Sequence, residues 1–115
     1  MSHNIPFQTI DWSSIPKTTH QGETGTACWQ TLQFDGLRIS LVEYSKGYLA
    51  DHWCEEGHIV YCLEGEFTNQ LATGEENHLT QGMSYVVSDA LNSHRSKSEQ
   101  GVKLLIIDGD FLKSS

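Results

Sequence analysis

Positive charge is scarce in this chain of 115 residues: Lys and Arg number 7 against 15 Asp and Glu, for a formal net charge of -8. No basic run occurs anywhere, which argues against nucleic acid or an anionic membrane as a partner. Long apolar runs are missing as well. No window approaches the roughly 18 apolar residues of a membrane-spanning helix, and the opening MSHNIPFQTIDWSS lacks the basic start and apolar core of a signal peptide. The expectation is a cytoplasmic protein. Cysteine is sparse and odd in number, and Cys28, Cys54 and Cys62 include no CxxC pair, so a disulfide framework is not expected. Cys28 reads as an inert thiol. Sustained helical periodicity is absent, and no serine-type nucleophile constellation is visible.

What the chain does contain is turn chemistry at short, regular intervals. With 37% hydrophobic residues it fits one domain with a single core. Glycine and turn clusters recur about every 8 to 12 residues, the spacing of an antiparallel β-sandwich or barrel. Residues 1–26, with Pro6, Pro16 and the polar run KTTHQGETGT, read as an extended N-terminal arm carrying at most one short strand, and residues 27–112 as the barrel. CWQTLQF is a strand, and Asp35-Gly36 turns it into LRISLVEY. There Leu37, Ile39 and Leu41 alternate with Arg38 and Ser40, the period of a half-buried strand. Further strands are expected at 48–54, 58–64, 66–72, 77–80, 83–87, 93–98 and 102–108.

The stretch DHWCEEGHIVYCLEGE, residues 51–66, concentrates the chemistry. Alternate side chains of a strand face one side. Tyr48, Ala50, His52 and Cys54 then share a face, as do His58, Val60, Cys62 and Glu64. If the EEG turn closes a hairpin, His52, Cys54 and His58 converge as metal ligands. Cys62 lies four residues beyond His58 and reads as core. Glu55 and Glu56 read as a solvated turn, with an oxygen ligand in place of Cys54 as the alternative. Asp51 and Trp53 face away, and Arg95 reads as an outward cation. Tyr85 and Val87 should point inward, Tyr85 as a core or pocket residue. His20 and Glu23 reach the pocket only if the arm closes over the barrel mouth. His3 and His78 carry no functional signal.

These residues resemble the cupins. Gly47, His52-x-Cys54, His58 and Gly65 match the register of the first cupin motif, Gly, His-x-His, Glu, Gly, with Cys54 at the second histidine and His58 at the glutamate. Gly82 and His94 match the second motif, although Ser88 replaces its Pro, Ala90 its Gly and Ser98 its Asn, and His94 falls one residue late. GETG, TLQF, VEYSKGYLADHWCEEGHIVYCLEGE and GMSY are similar to the DHCW motif cupin fold proteins, over residues 20 to 108. The resemblance implies an all-β fold, a small single-domain cupin with a conical double-stranded β-helix, a site inside the barrel and a homodimer.

It also implies a metal set of His52, Cys54, His58 and His94; Tyr85 stays, by strand parity, a core residue with a pocket role as the alternative. Three neutral donors and one anion keep the charge balance of the family's set while the anion moves to sulfur. A thiolate tilts preference toward Zn(II) or Fe(II), with copper or nickel as further candidates. Four ligands in a tetrahedron would close the site, as in structural zinc or a sensor; higher coordination would leave room for substrate or dioxygen. Two functions remain open: a metal-dependent oxygenase or isomerase acting on a small molecule, and a non-catalytic module that binds a small ligand or senses metal or thiol state.

Overall fold

The computed structural model describes residues 3–113. Nine strands form one antiparallel sheet curled around a single core: β1 (Thr18–Gln21), β2 (Thr26–Phe34), β3 (Leu37–Tyr44), β4 (Tyr48–Leu49), β5 (His58–Leu71), β6 (Glu76–Thr80), β7 (Ser84–Val87), β8 (His94–Ser98) and β9 (Val102–Gly109). The hydrogen-bonded order is β1-β2-β3-β9-β5-β8-β4, with β6 and β7 also paired to β5. Among the described residues, only two short 3-10 turns, Trp12–Ser14 and Asp110–Leu112, interrupt the all-β character. The expected Asp35-Gly36 turn joins β2 to β3, and Gly36 supplies the positive φ that a two-residue hairpin requires.

Strand β5 organises the whole sheet. The sequence suggests two strands broken at Gly65; the chain instead runs through as 14 residues. The ladder with β9 shifts register between Cys62 and Glu64, and Gly65 adopts φ +88°. A β-carbon at Gly65 would sit 2.5 Å from the Gly101 carbonyl oxygen. The bend therefore needs glycine. Before it, β5 pairs with β7 and β9; beyond it, with β6 and β8. One strand thus serves both halves of the curl, and Val60, Cys62, Phe67, Leu79, Leu104 and Ile106 pack inside.

The structure settles the inward face of β3 and corrects one expectation about strand partners. The inward face of β3 is not Leu37, Ile39 and Leu41 but the other one: Ser40, Val42 and Tyr44 are buried, and Arg38 shares their side. The apolar face that the alternation emphasises lies on the outside of the sheet. The 48–54 strand is also cut short. β4 pairs with β8 rather than with β5, so EEG closes no hairpin between them. The Ala50 N–H still donates to the Ser96 carbonyl, and the next bridge pairs Cys54 with His94. Ala50 to Cys54 spans four positions where Ser96 to His94 spans two, so residues 51–53 bulge out of the ladder.

Candidate metal centre

That bulge decides what each residue of the motif does. Cys54 and His94 exchange both backbone hydrogen bonds, N to O at 2.7 and 2.9 Å, which sets their side chains next to each other on one face. His58 opens β5 on its inward face, with Sγ of Cys54 3.5 Å from its Nε2. Cys54, His58 and His94 offer ligand atoms within 4.8 Å of one another. His52 is not among them. The looped-out backbone turns its ring toward solvent, with the side chain 74% exposed and Nδ1 2.6 Å from Asp51 Oδ1. It lines the rim of the same cavity.

The imidazoles are held from behind. His94 Nδ1 donates to the Asn92 carbonyl at 2.9 Å, which leaves Nε2 with a bare lone pair; that atom is buried and has no hydrogen-bond partner. His58 Nδ1 lies 3.7 Å from Asp108 Oδ1, an ion-pair separation rather than a formed hydrogen bond. Asp108 in turn accepts from Arg38, which also bonds Glu56 at 2.9 Å. Glu56, His58 and Asp108 form a second group of close donor atoms. The Arg38 guanidinium already supplies its cation.

Electrostatics follow from this arrangement. Burial pushes the Cys54 thiol up, but the hydrogen bond and positive charge of His58, with the neighbouring His94 ring and the Glu56 backbone, outweigh it and bring the pKa down to about 6. For His58, burial pulls down while Asp108 and the Cys54 sulfur raise it further, to about 9. Asp108 stays below the usual carboxylate range: desolvation opposes ionisation, and His58 and Arg38 overcome it. Burial pushes the Tyr85 hydroxyl well up, so it remains a neutral phenol.

The cavity over this group measures about 210 Å³ and includes Trp29, Arg38, Tyr48, His52, Tyr85 and Arg95 in its lining. Tyr48 stacks on Tyr44 at 4.2 Å. The ring of Tyr85 meets that of His94 edge-on at 6.0 Å. Arg95 does not stand apart from the site. Its guanidinium lies 4.6 Å over the Trp53 ring, Nε donates to Gln70, and Nη1 is 3.7 Å from Glu23. The GETG turn is tied to β4 by a Glu23 N–H to Leu49 O bond, and Glu23 meets Arg95 of the cavity wall, but neither Glu23 nor His20 lines the cavity itself. Cys62 is completely buried. Arg38 and Asp108 were missed by sequence reasoning, although Asp108 ends the inward series Val102, Leu104, Ile106, where a carboxylate among apolar residues is a readable signal.

Solved structures supply the comparison for this architecture. The chain aligns over 95% of its length with 94% of an RmlC-like cupin from Shewanella frigidimarina, at 22% identity and TM-score 0.68. This is the cupin fold. A predicted oxalate decarboxylase from Thermotoga maritima matches at TM-score 0.74 and 14% identity, over 89% of this chain and 99% of its own. The Fe(II) form of HppE matches at TM-score 0.73 and 13% identity, over 93% of this chain and 63% of its own. No protein-family model and no curated protein matches the sequence.

Proposed function

We propose that the protein is a metal-binding cupin in which Cys54, His58 and His94 hold one divalent transition-metal ion beside a cavity for a small molecule. The observation that carries this reading is the buried, partnerless Nε2 of His94, aimed into the same space as Cys54 Sγ. A buried polar atom without a partner calls for an occupant, and an acceptor behind each ligating ring is how histidine ligands are held. The donor set fits Zn(II) or Fe(II), with copper or nickel next. Three protein ligands rather than four leave coordination positions free, which favours chemistry over a closed structural site.

When bound, such an ion polarises a substrate oxygen. The chain's own residues orient and donate hydrogen bonds. Asp108 faces the His58 ring as its counter-charge, and Tyr85, neutral by burial, offers a hydrogen-bond donor to the cavity. Tyr48 and Trp29 furnish apolar walls. The chemistry most compatible with this lining is that of an oxygenase or isomerase, since the lining holds no serine-type nucleophile paired with a general base apart from the ligand group. A reducing cytoplasm suits the reading, because a thiolate ligand must escape oxidation. The resemblance to DHCW motif cupins belongs to the same proposal.

Metal analysis of untagged protein and of four variants tests it. About one equivalent is expected in the wild type and in His52→Ala, with loss in His58→Ala and His94→Ala. Absence of metal under every loading condition would end the reading. Retention of an unchanged Co(II) spectrum in Cys54→Ser would remove sulfur from the shell. One observation favours a second reading: a Cys54 thiolate 3.5 Å from a protonated His58 is a reactive thiol in its own right. That sensor reading predicts reversible peroxide oxidation of Cys54 at neutral pH together with no metal uptake.

A further inference from the structure

Behind Tyr85 and His94 lies a second cavity of about 260 Å³, lined by Asn69, Leu71, Asn77, Tyr85, Val86, Val87, Asn92 and His94. It shares only Tyr85 and His94 with the cavity over the ligand group. The two differ in chemistry. The first contains Arg38, Arg95, Glu56 and Asp108; no Lys, Arg, Asp or Glu lines the second. Its polar groups are carboxamides, the Tyr85 phenol and one imidazole. Leu71, Val86 and Val87 make the apolar part of the wall.

Asn69 carries the argument. It sits in β5 beyond the bend, with Asn77 of β6 and Ser96 of β8 as its register partners on either side. The residue is 4% exposed, and its Nδ2 is buried with no acceptor. Asn77 and Asn92 stand at the exposed edge of the same cavity. Asn77 Nδ2 reaches Glu75 at 3.3 Å, and the Asn92 carbonyl holds His94 Nδ1. An amide donor at a cavity floor is stable when something accepts from it.

We infer that this second cavity is the binding site for the neutral polar end of the protein's small molecule, a carbonyl or hydroxyl oxygen that accepts from Asn69 Nδ2. This deepens the proposed function and rests on it for the placement of the reacting end near His94. The volume falls below the ~300–1,000 Å³ of drug-sized sites, so the ligand is a compact one. Charge decides its class. A carboxylate here would lose its water without a cationic side chain to replace it. Carboxamides, which both donate and accept, suit uncharged amides and alcohols.

The test uses full-length protein with 15N-labelled side chains. Acetamide and ethylene glycol serve as carbonyl and hydroxyl probes, and acetate as the charged control. Saturable movement of the Asn69 side-chain amide resonance with acetamide or ethylene glycol, and not with acetate, is the expected result. In Asn69→Leu, which keeps the volume, the saturable shifts of neighbouring Tyr85 and Leu71 should disappear while the backbone spectrum stays dispersed. No saturation with either neutral probe, equal saturation by acetate, or shifts that survive in Asn69→Leu would overturn the inference. Metal content measured on the same wild-type sample separates the two readings. Metal uptake without probe binding defeats only the inference; probe binding without metal uptake defeats only the metal centre.

Discussion

Asp108 is where a single residue has the widest reach. It faces the His58 ring from β9 and is pinned by Arg38 from β3, so three adjacent strands meet on one carboxylate. Replacing it with Asn keeps the shape and removes the charge behind the ligand. Metal affinity should fall roughly 10- to 100-fold, measured by competition with a chromophoric chelator, while the fold persists by circular dichroism. The ligands also predict a proton count. With His58 protonated up to about pH 9 and Cys54 deprotonated above about pH 6, binding at pH 7.5 must displace a proton from His58 and none from Cys54. About one proton should be released per ion, approaching zero above pH 9 and rising toward two below pH 6. Affinity therefore strengthens as pH rises. Calorimetry in buffers of different ionisation enthalpy reads this directly.

At the level of elements, two backbone positions of opposite character frame the site. Gly65 bends β5 with φ +88° against the Gly101 carbonyl. Gly65→Ala should cost about 2 kcal/mol or more in urea unfolding, because both the backbone and the β-carbon are unsuited there. Ala90 has φ +59° without being glycine, in the loop whose N–H bonds the Glu55 carbonyl at 2.7 Å. The side chain is exposed, so Ala90→Gly removes left-handed strain without losing packing. It should stabilise the protein by about 1 kcal/mol in the same assay. That loop clamps the 51–57 segment against β8, and the cupin register already placed a glycine at this position. The bulge at 51–53 shows the limit of parity arguments, which hold only while a ladder is unbroken. Two extra residues sufficed to send His52 outward and to leave Cys54 opposite His94.

Across the whole molecule, the outer face of the sheet carries an apolar row through five strands, Leu32, Ile39, Ile107, Ile59 and Val86, in continuous register. Val86 is 70% exposed, and Phe7 of the arm stands 94% exposed. We propose that a second copy of the chain covers this face, giving the homodimer that the family resemblance implies. Val86→Glu should shift sedimentation from dimer to monomer with unchanged secondary structure. A wild-type protein that sediments as a monomer at micromolar concentration would refute the proposal. No helix among the described residues is long and apolar enough to cross a membrane.

The sequence by itself determined the class of fold, because turn residues at short intervals and strand-length alternation leave an antiparallel β architecture as the economical way to bury one core. Strand parity also singled out His52, Cys54 and His58 as a group and Tyr85 as a core or pocket residue, with His94 added by the family resemblance. Tertiary structure alone decided which donors share one space. Partner choice between strands is a long-range property, and it set Cys54 against His94 across β8 instead of against His58 across a hairpin. It likewise turned the polar side of β3 inward, bringing Arg38 to Asp108 and Asp108 to His58. Alternation is the same for either face of a strand; only the neighbours across the sheet settle which face meets the core.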